Sequence, residues 1–150
     1  MGAIGVIGAG SWGTTLADLL AKKGHDVILW AYEADLVKEM EETRVNSVFL
    51  PGITLSPRLR FTNSLQEAAS GKEIVLFVSP TQVFRSVLKG ALPFLTEETL
   101  LVNAAKGVEL DTLKTISQIS AELLPARLFA NFCVISGPSF AREVAQEMPT

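Results

Sequence analysis

Short apolar runs punctuate this chain at residues 1–7, 27–30, 74–78, 100–103 and 132–135. Each has the length of a strand and lacks the in-out alternation of a half-buried one, so each predicts a strand covered on both faces. A further short strand is predicted at 59–61. Between the runs the period changes. A helical stretch is predicted over 14–23. In the next segment Leu36, Val37 and Met40 share one helical face, while Lys38, Glu39, Glu41 and Glu42 take the other. One or two helical turns are predicted over 64–69, and a longer helix over 82–92 with Val83, Val87 and Leu88 inward. From Thr112 onward Leu113, Ile116, Ile119 and Leu123 recur at helical spacing until Pro125 closes the helix, and a last helix is expected to start near Phe140. Residues 46–57 contain Pro51-Gly52 and Ser56-Pro57, which is loop chemistry.

Strands and helices therefore alternate from end to end. The pattern predicts an α/β fold of the doubly wound, Rossmann type, a mostly parallel sheet with helices on both faces. The length, 150 residues, suits one domain with a substantial core. Composition adds one question. The 48% hydrophobic fraction and mean hydropathy of +0.33 are high, and either a membrane segment or a doubly covered sheet would explain them. The uncharged run 128–141 is interrupted by Asn131, Gly137 and Pro138. It also falls short of the roughly 20 apolar residues a spanning helix needs, so the sheet is the better explanation.

The chain opens on a strand, with no signal-peptide pattern. Its one cysteine, Cys133, lies in an apolar run where an inert buried thiol is expected and no internal disulfide can form. These features fit a cytoplasmic protein. A net charge of −3 and a pI near 5.2 argue against nucleic-acid binding.

The candidate chemistry begins at Gly8-Ala9-Gly10-Ser11-Trp12-Gly13, between a predicted strand and a predicted helix. That context is the one a dinucleotide-binding fingerprint requires. Gly8 permits the tight turn, Gly10 leaves the backbone open to a pyrophosphate, and Gly13 lets the helix lie close to the sheet. The helix N-terminus then faces the phosphates. In such sheets ligands bind beyond the carboxyl ends of the strands. The other ends here are 30–33, 79–82, 103–107 and 136–139. Lys106 is the only charged residue of its turn and reads either as a cation for a phosphate or oxyanion, or as a solvated loop lysine. Ser136-Gly137-Pro138-Ser139 reads either as a plain helix start with proline in the first turn, or as a polar ligand contact through Ser139. Glu33 stands about twenty residues beyond Gly13, where a carboxylate can bond a ribose hydroxyl. It could equally open a surface helix. His25 occupies a turn on the opposite edge, and no metal-ligand spacing or nucleophilic triad is present.

Several strings taken together resemble one family: GAGSWGT at 8–14, LW at 29–30, FLPG at 49–52, VSPTQVF at 78–84, AAKGVE at 104–109 and SGPSFAREVA at 136–145. In this order they resemble the amino-terminal domain of bacterial NAD(P)-dependent glycerol-3-phosphate dehydrogenase. The resemblance implies hydride transfer between NAD or NADP and the glycerol 3-phosphate/dihydroxyacetone phosphate pair, which supplies the phospholipid backbone. It puts Gly8, Gly10, Ser11, Trp12, Gly13, Tyr32, Lys106 and Ala141 at the cofactor, and Lys106, Gly137 and Ser139 at the substrate, with Lys106 between the two. Where Tyr32 stands, the family commonly has a basic residue or histidine. An aromatic ring can stack on adenine but cannot neutralise a 2′-phosphate, so the resemblance carries no NADP preference.

The resemblance also implies a helical substrate domain after residue 150, carrying the lysine that accepts the alcohol proton. Residues 1–150 are then expected to be the dinucleotide-binding domain alone, inactive by itself, with a homodimer left open. Two rivals share the glycine turn. One is a stand-alone NAD(H)-sensing module and the other a β-hydroxyacid-type dehydrogenase. A sensor needs no substrate lysine at a neighbouring strand end, and the second rival lacks the AAKG and SGPSFA pair.

Overall fold

The computed structural model describes residues 2–149. Strand β1 (Ala3–Ile7) leads into helix α1 (Ser11–Lys22), then β2 (Asp26–Trp30), α2 (Ala34–Thr43) and β3 (Arg60–Thr62). Helix α3 (Leu65–Ala69) precedes β4 (Ile74–Phe77), α4 (Thr81–Ala91), a 3-10 turn (Leu92–Phe94) and β5 (Leu100–Asn103). The chain continues through α5 (Ile116–Leu123), α6 (Ala126–Phe129), β6 (Phe132–Val134) and α7 (Ala141–Ala145). All six strands are parallel, in the order β3-β2-β1-β4-β5-β6. This is the doubly wound order of a Rossmann fold.

The apolar strand runs are explained by two cores, one on each face. Ile4 and Val6 of β1, Val27 and Leu29 of β2, and Leu76 of β4 join Ala17, Ala21, Leu36 and Met40 from α1 and α2. The alternate residues Ile7, Ile28, Trp30, Val75 and Phe77 meet Ala68, Phe84, Leu88 and Ile119 from α3, α4 and α5. Every second strand residue thus serves a different core, so none of the central positions is left to be polar. Gly5 is part of this packing, because a Cβ there would lie 1.8 Å from the Ala68 carbonyl oxygen of α3.

Several expectations need correction. Val83 is 45% exposed, because α4 starts at Thr81 and turns Phe84, Leu88 and Ala91 to the sheet instead. Leu113 is 76% exposed with φ 55°, and the helix expected from Thr112 starts at Ile116. Thr115 fixes that start through a reciprocal capping box with Gln118. Pro125 precedes the short, unanticipated α6. Cys133 is exposed, as are Val134 and Ile135. Strand β6 pairs only with β5 and, among the described residues, its outer surface is uncovered.

Candidate functional site

The register brings the carboxyl ends of the strands to one rim. Ile7 lies beside Trp30 and Phe77, Phe77 beside Asn103, and Asn103 beside Val134. Strand order reverses between β1 and β4, so the crevice expected of this fold opens between Gly8–Gly10 and Ser79–Pro80. His25 lies on the opposite rim, just before β2.

The glycine turn has distinct reasons for each glycine. Gly8 has φ 121°, and a Cβ there would stand 2.8 Å from the Ser79 nitrogen. At Gly13 a Cβ would lie 1.8 Å from the Gly8 carbonyl oxygen, so α1 can pass this close to β1 only without a side chain. A Cβ on Gly10 would meet nothing within 4 Å, so the space in front of it is open. Helix α1 starts at Ser11, three residues earlier than expected, with Gly10 as N-cap and no side chain capping its N–H groups. Ser11 and Trp12 of this first turn line the crevice, and the first N–H groups of a helix have no partner within it.

Behind the turn lies a polar support that local sequence did not signal. Asn46 is fully buried. Its Nδ2 donates to the Ala9 carbonyl at 2.9 Å and to Thr14 Oγ1 at 2.8 Å, and its Oδ1 accepts from the Phe49 N–H at 2.9 Å. Thr14 Oγ1 donates in turn to the Ala9 carbonyl at 3.1 Å. One amide therefore ties the glycine turn to the loop carrying Phe49.

Two cavities lie along the crevice. The first, about 370 Å³, is lined by Gly10, Ser11, Trp12, Lys106, Ser139 and Ala141 among others. The second, about 460 Å³, is lined by Gly8, Trp30, Tyr32, Glu33, Phe49 and Val83 among others. Among the described residues they share only Gly10, Ser79 and Pro80. Two buried polar atoms without partners, Trp30 Nε1 and Ser79 Oγ, belong to residues of this lining. An elongated ligand with a polar waist and a planar apolar end fits this arrangement, and a dinucleotide has both.

Lys106 is exposed, and its ammonium donates to the Gly137 carbonyl at 2.7 Å. Gly137 thus meets Lys106 without itself lining the first cavity. Ser139 is half-buried beside it, and Thr15 Oγ1 of α1 donates to the Ala141 carbonyl at 3.2 Å. Pro138 stands outside the final helix, because α7 starts at Ala141 and has only five residues. Glu33 stands at the N-cap of α2, as the surface-helix reading expected, and also lines the second cavity. It is the one charged side chain among the described residues of that lining. Tyr32 is 80% exposed and meets Trp30 edge to face at 6.4 Å between ring centroids. The strongest electrostatic feature nearby is a pair that sequence reasoning missed. The Arg85 guanidinium and the Thr112 hydroxyl hold the carboxyl of buried Glu109 down at about 2. Glu109 in turn pushes Arg85 up from its ordinary value.

Strand order, glycine turn and cleft together define a dinucleotide-binding domain of the Rossmann type. The chain belongs to the family of the NAD-dependent glycerol-3-phosphate dehydrogenase N-terminus, whose model matches residues 3–150. It is 65% identical over 147 residues to a glycerol-3-phosphate dehydrogenase [NAD(P)+] of Geobacter metallireducens, covering 98% of this chain and 44% of that protein. A crystal structure of glycerol-3-phosphate dehydrogenase from Coxiella burnetii superposes with a TM-score of 0.87 at 35% identity, over 99% of this chain and 45% of that one. The Saccharomyces cerevisiae enzyme follows at 0.76 and 26%, over 97% and 44%. The chain thus spans less than half the length of the curated relatives it matches. No helix among the described residues is long and apolar enough to cross a membrane.

Proposed function

We propose that this chain is the cofactor-binding half of an NAD(P)-dependent glycerol-3-phosphate dehydrogenase, interconverting sn-glycerol 3-phosphate and dihydroxyacetone phosphate. One observation carries the reading. In a chain of this family, a single cavity gathers the open glycine turn at Gly10–Trp12 with Lys106 and Ser139 from two other strand ends.

In this reading the α1 N-terminus and Gly10 receive the pyrophosphate, and Gly8 and Gly13 make that approach possible. The second cavity takes the adenosine half, with Tyr32 against the base. Ser11, Trp12, Lys106 and Ala141 flank the nicotinamide half, which when bound supplies or accepts the hydride at the substrate carbonyl carbon. The Lys106 ammonium steadies negative charge on the substrate, and Gly137 and Ser139 help to hold it. The proton on the carbonyl oxygen is exchanged by a lysine of a helical domain that follows residue 150. Glu33 beside the second cavity would repel a 2′-phosphate, so NAD(H) is the better partner of the two. The same reading makes this a cytoplasmic supplier of the phospholipid backbone, without a nucleic-acid partner and with a homodimer permitted.

The test is oxidation of NADH, and separately of NADPH, by dihydroxyacetone phosphate with the full-length protein. Turnover with either supports the assignment. Absence of turnover with both refutes it. Residues 1–150 alone should bind NADH and turn over little or nothing.

A further inference from the structure

Lys106 sits in a segment, 104–115, whose regular structure among the described residues is one isolated bridge between Val108 and Thr115. Gly107 beside it has φ 132°. Its local hydrogen bonds lie at its two ends, between Asn103 and Ala105 and within 109–114. A charge aimed at a reacting substrate must be held closely, because a displacement of about 1 Å can cost on the order of a hundredfold in rate. Further restraint on the stretch between comes from α4. Thr81 Oγ1 donates to the Lys106 carbonyl at 2.8 Å. Gln82 grips the next turn from both sides, its Nε2 donating to the Val108 carbonyl at 3.0 Å and its Oε1 accepting from the Leu110 N–H at 3.0 Å. One turn further on, Arg85 meets Glu109 in a bidentate pair, Nε to Oε1 at 2.9 Å and Nη2 to Oε2 at 2.8 Å. Its remaining arm reaches Glu122 of α5 at 2.9 Å. Neither Gln82 nor Arg85 lines either cavity of the crevice.

We propose that Gln82 and Arg85 are positioning residues that hold the Lys106–Glu109 loop, and with it the Lys106 ammonium, at the substrate end of the cleft. They act through the loop and touch neither cofactor nor substrate. The proposal rests on the reading that Lys106 faces substrate. It separates from simple helix-to-helix adhesion by where the damage falls. The glycine turn, Asn46 and the second cavity are built without Gln82 or Arg85, so loosening the clamp reaches the dinucleotide only where Lys106 flanks its nicotinamide half and falls chiefly on the substrate end. A planar bidentate fork also cannot be replaced by a point charge without loss.

The experiment uses the full-length protein with Arg85→Ala, Arg85→Lys and Gln82→Ala, and Arg127→Ala as a control that removes a surface pair with Glu97. NADH Kd is read by fluorescence, and kcat and KM with dihydroxyacetone phosphate. For Arg85→Ala, kcat/KM is expected to fall at least tenfold more than NADH affinity, with Arg85→Lys recovering part of the loss and Arg127→Ala unchanged. If Arg85→Ala does not fold, Gln82→Ala, which leaves the ion pairs intact, is judged by the same criterion. A smaller gap between the two effects, or equal loss of cofactor and substrate, overturns the clamp while leaving the dehydrogenase reading standing. A wild-type protein that does not turn over dihydroxyacetone phosphate overturns both.

Discussion

Replacing Asn46 with alanine tests whether the glycine turn is held from behind. The side chain is fully buried and makes three hydrogen bonds. After truncation Thr14 Oγ1 and the Ala9 carbonyl keep each other at 3.1 Å. The Phe49 N–H, however, loses its acceptor. An orphaned, partly buried donor costs about 1–3 kcal/mol, and the vacated volume adds to it. A total of about 2–4 kcal/mol corresponds to a fall of about 4–16 °C in Tm for a domain of this size. Thermal unfolding followed by circular dichroism measures this directly. NADH titration of the same samples should show affinity falling several-fold, because both the turn and the Phe49 loop are released. Asn46→Asp is the sharper variant. It keeps an acceptor for Phe49 but sets a carboxylate oxygen against the Ala9 carbonyl, so it should be at least as damaging. A Tm shift below about 1 °C in Asn46→Ala with unchanged NADH affinity would refute the argument.

The glycine turn gives a contrasting pair. Gly13→Ala drives a Cβ toward the Gly8 carbonyl and should lower Tm by several degrees, about 1–3 kcal/mol of overpacking. Gly10→Ala meets no protein atom and should move Tm by only about 1–4 °C as an N-cap change, yet weaken NADH binding at least tenfold. Glu109→Gln probes the clamp by pH. The folded carboxyl titrates at about 2, below its ordinary value of 4.5, so its stabilisation is complete above that ordinary value and is lost as pH falls toward 2. The Tm difference between wild type and Glu109→Gln should therefore be constant above pH 5 and shrink between about 4.5 and 2, and a difference flat throughout would contradict the pairing. Ser79→Ala removes a buried hydroxyl that has no partner, so Tm without ligand should hold or rise. A drop of more than about 2 °C would show that the hydroxyl is satisfied.

Much of the fold was legible because the central strands are buried on both faces, which leaves short continuous apolar runs bounded by turn residues. The runs could not say which faces are covered. Cys133 and Val134 sit in as apolar a stretch as Val75 and Leu76 do, but among the described residues β6 is an edge strand whose surface is open. The same limit moved Leu113 from a predicted helix to an exposed left-handed position, where its spacing to Ile116 was fortuitous. At the site, the fold type said that the glycine turn and the Lys106 turn would meet at neighbouring strand ends, and the family resemblance singled out Lys106 between them. Asn46 was not legible, because its partners Ala9 and Thr14 lie 37 and 32 residues away. Arg85 and Glu109, 24 residues apart, were hidden for the same reason.

The narrow saddle at Gly10, Ser79 and Pro80 has a consequence for how tightly a ligand is kept. A receptor made of two compartments joined at three residues treats a dinucleotide as a bivalent guest. Once one half is seated, the other is held at an effective concentration of about millimolar by a linker only two phosphates long. Each half, offered separately as a mononucleotide, would bind feebly, and the intact molecule would gain on the order of 10²–10⁴ in avidity without a single new contact. Retention of the cofactor then depends as much on the distance between the compartments as on the chemistry within either.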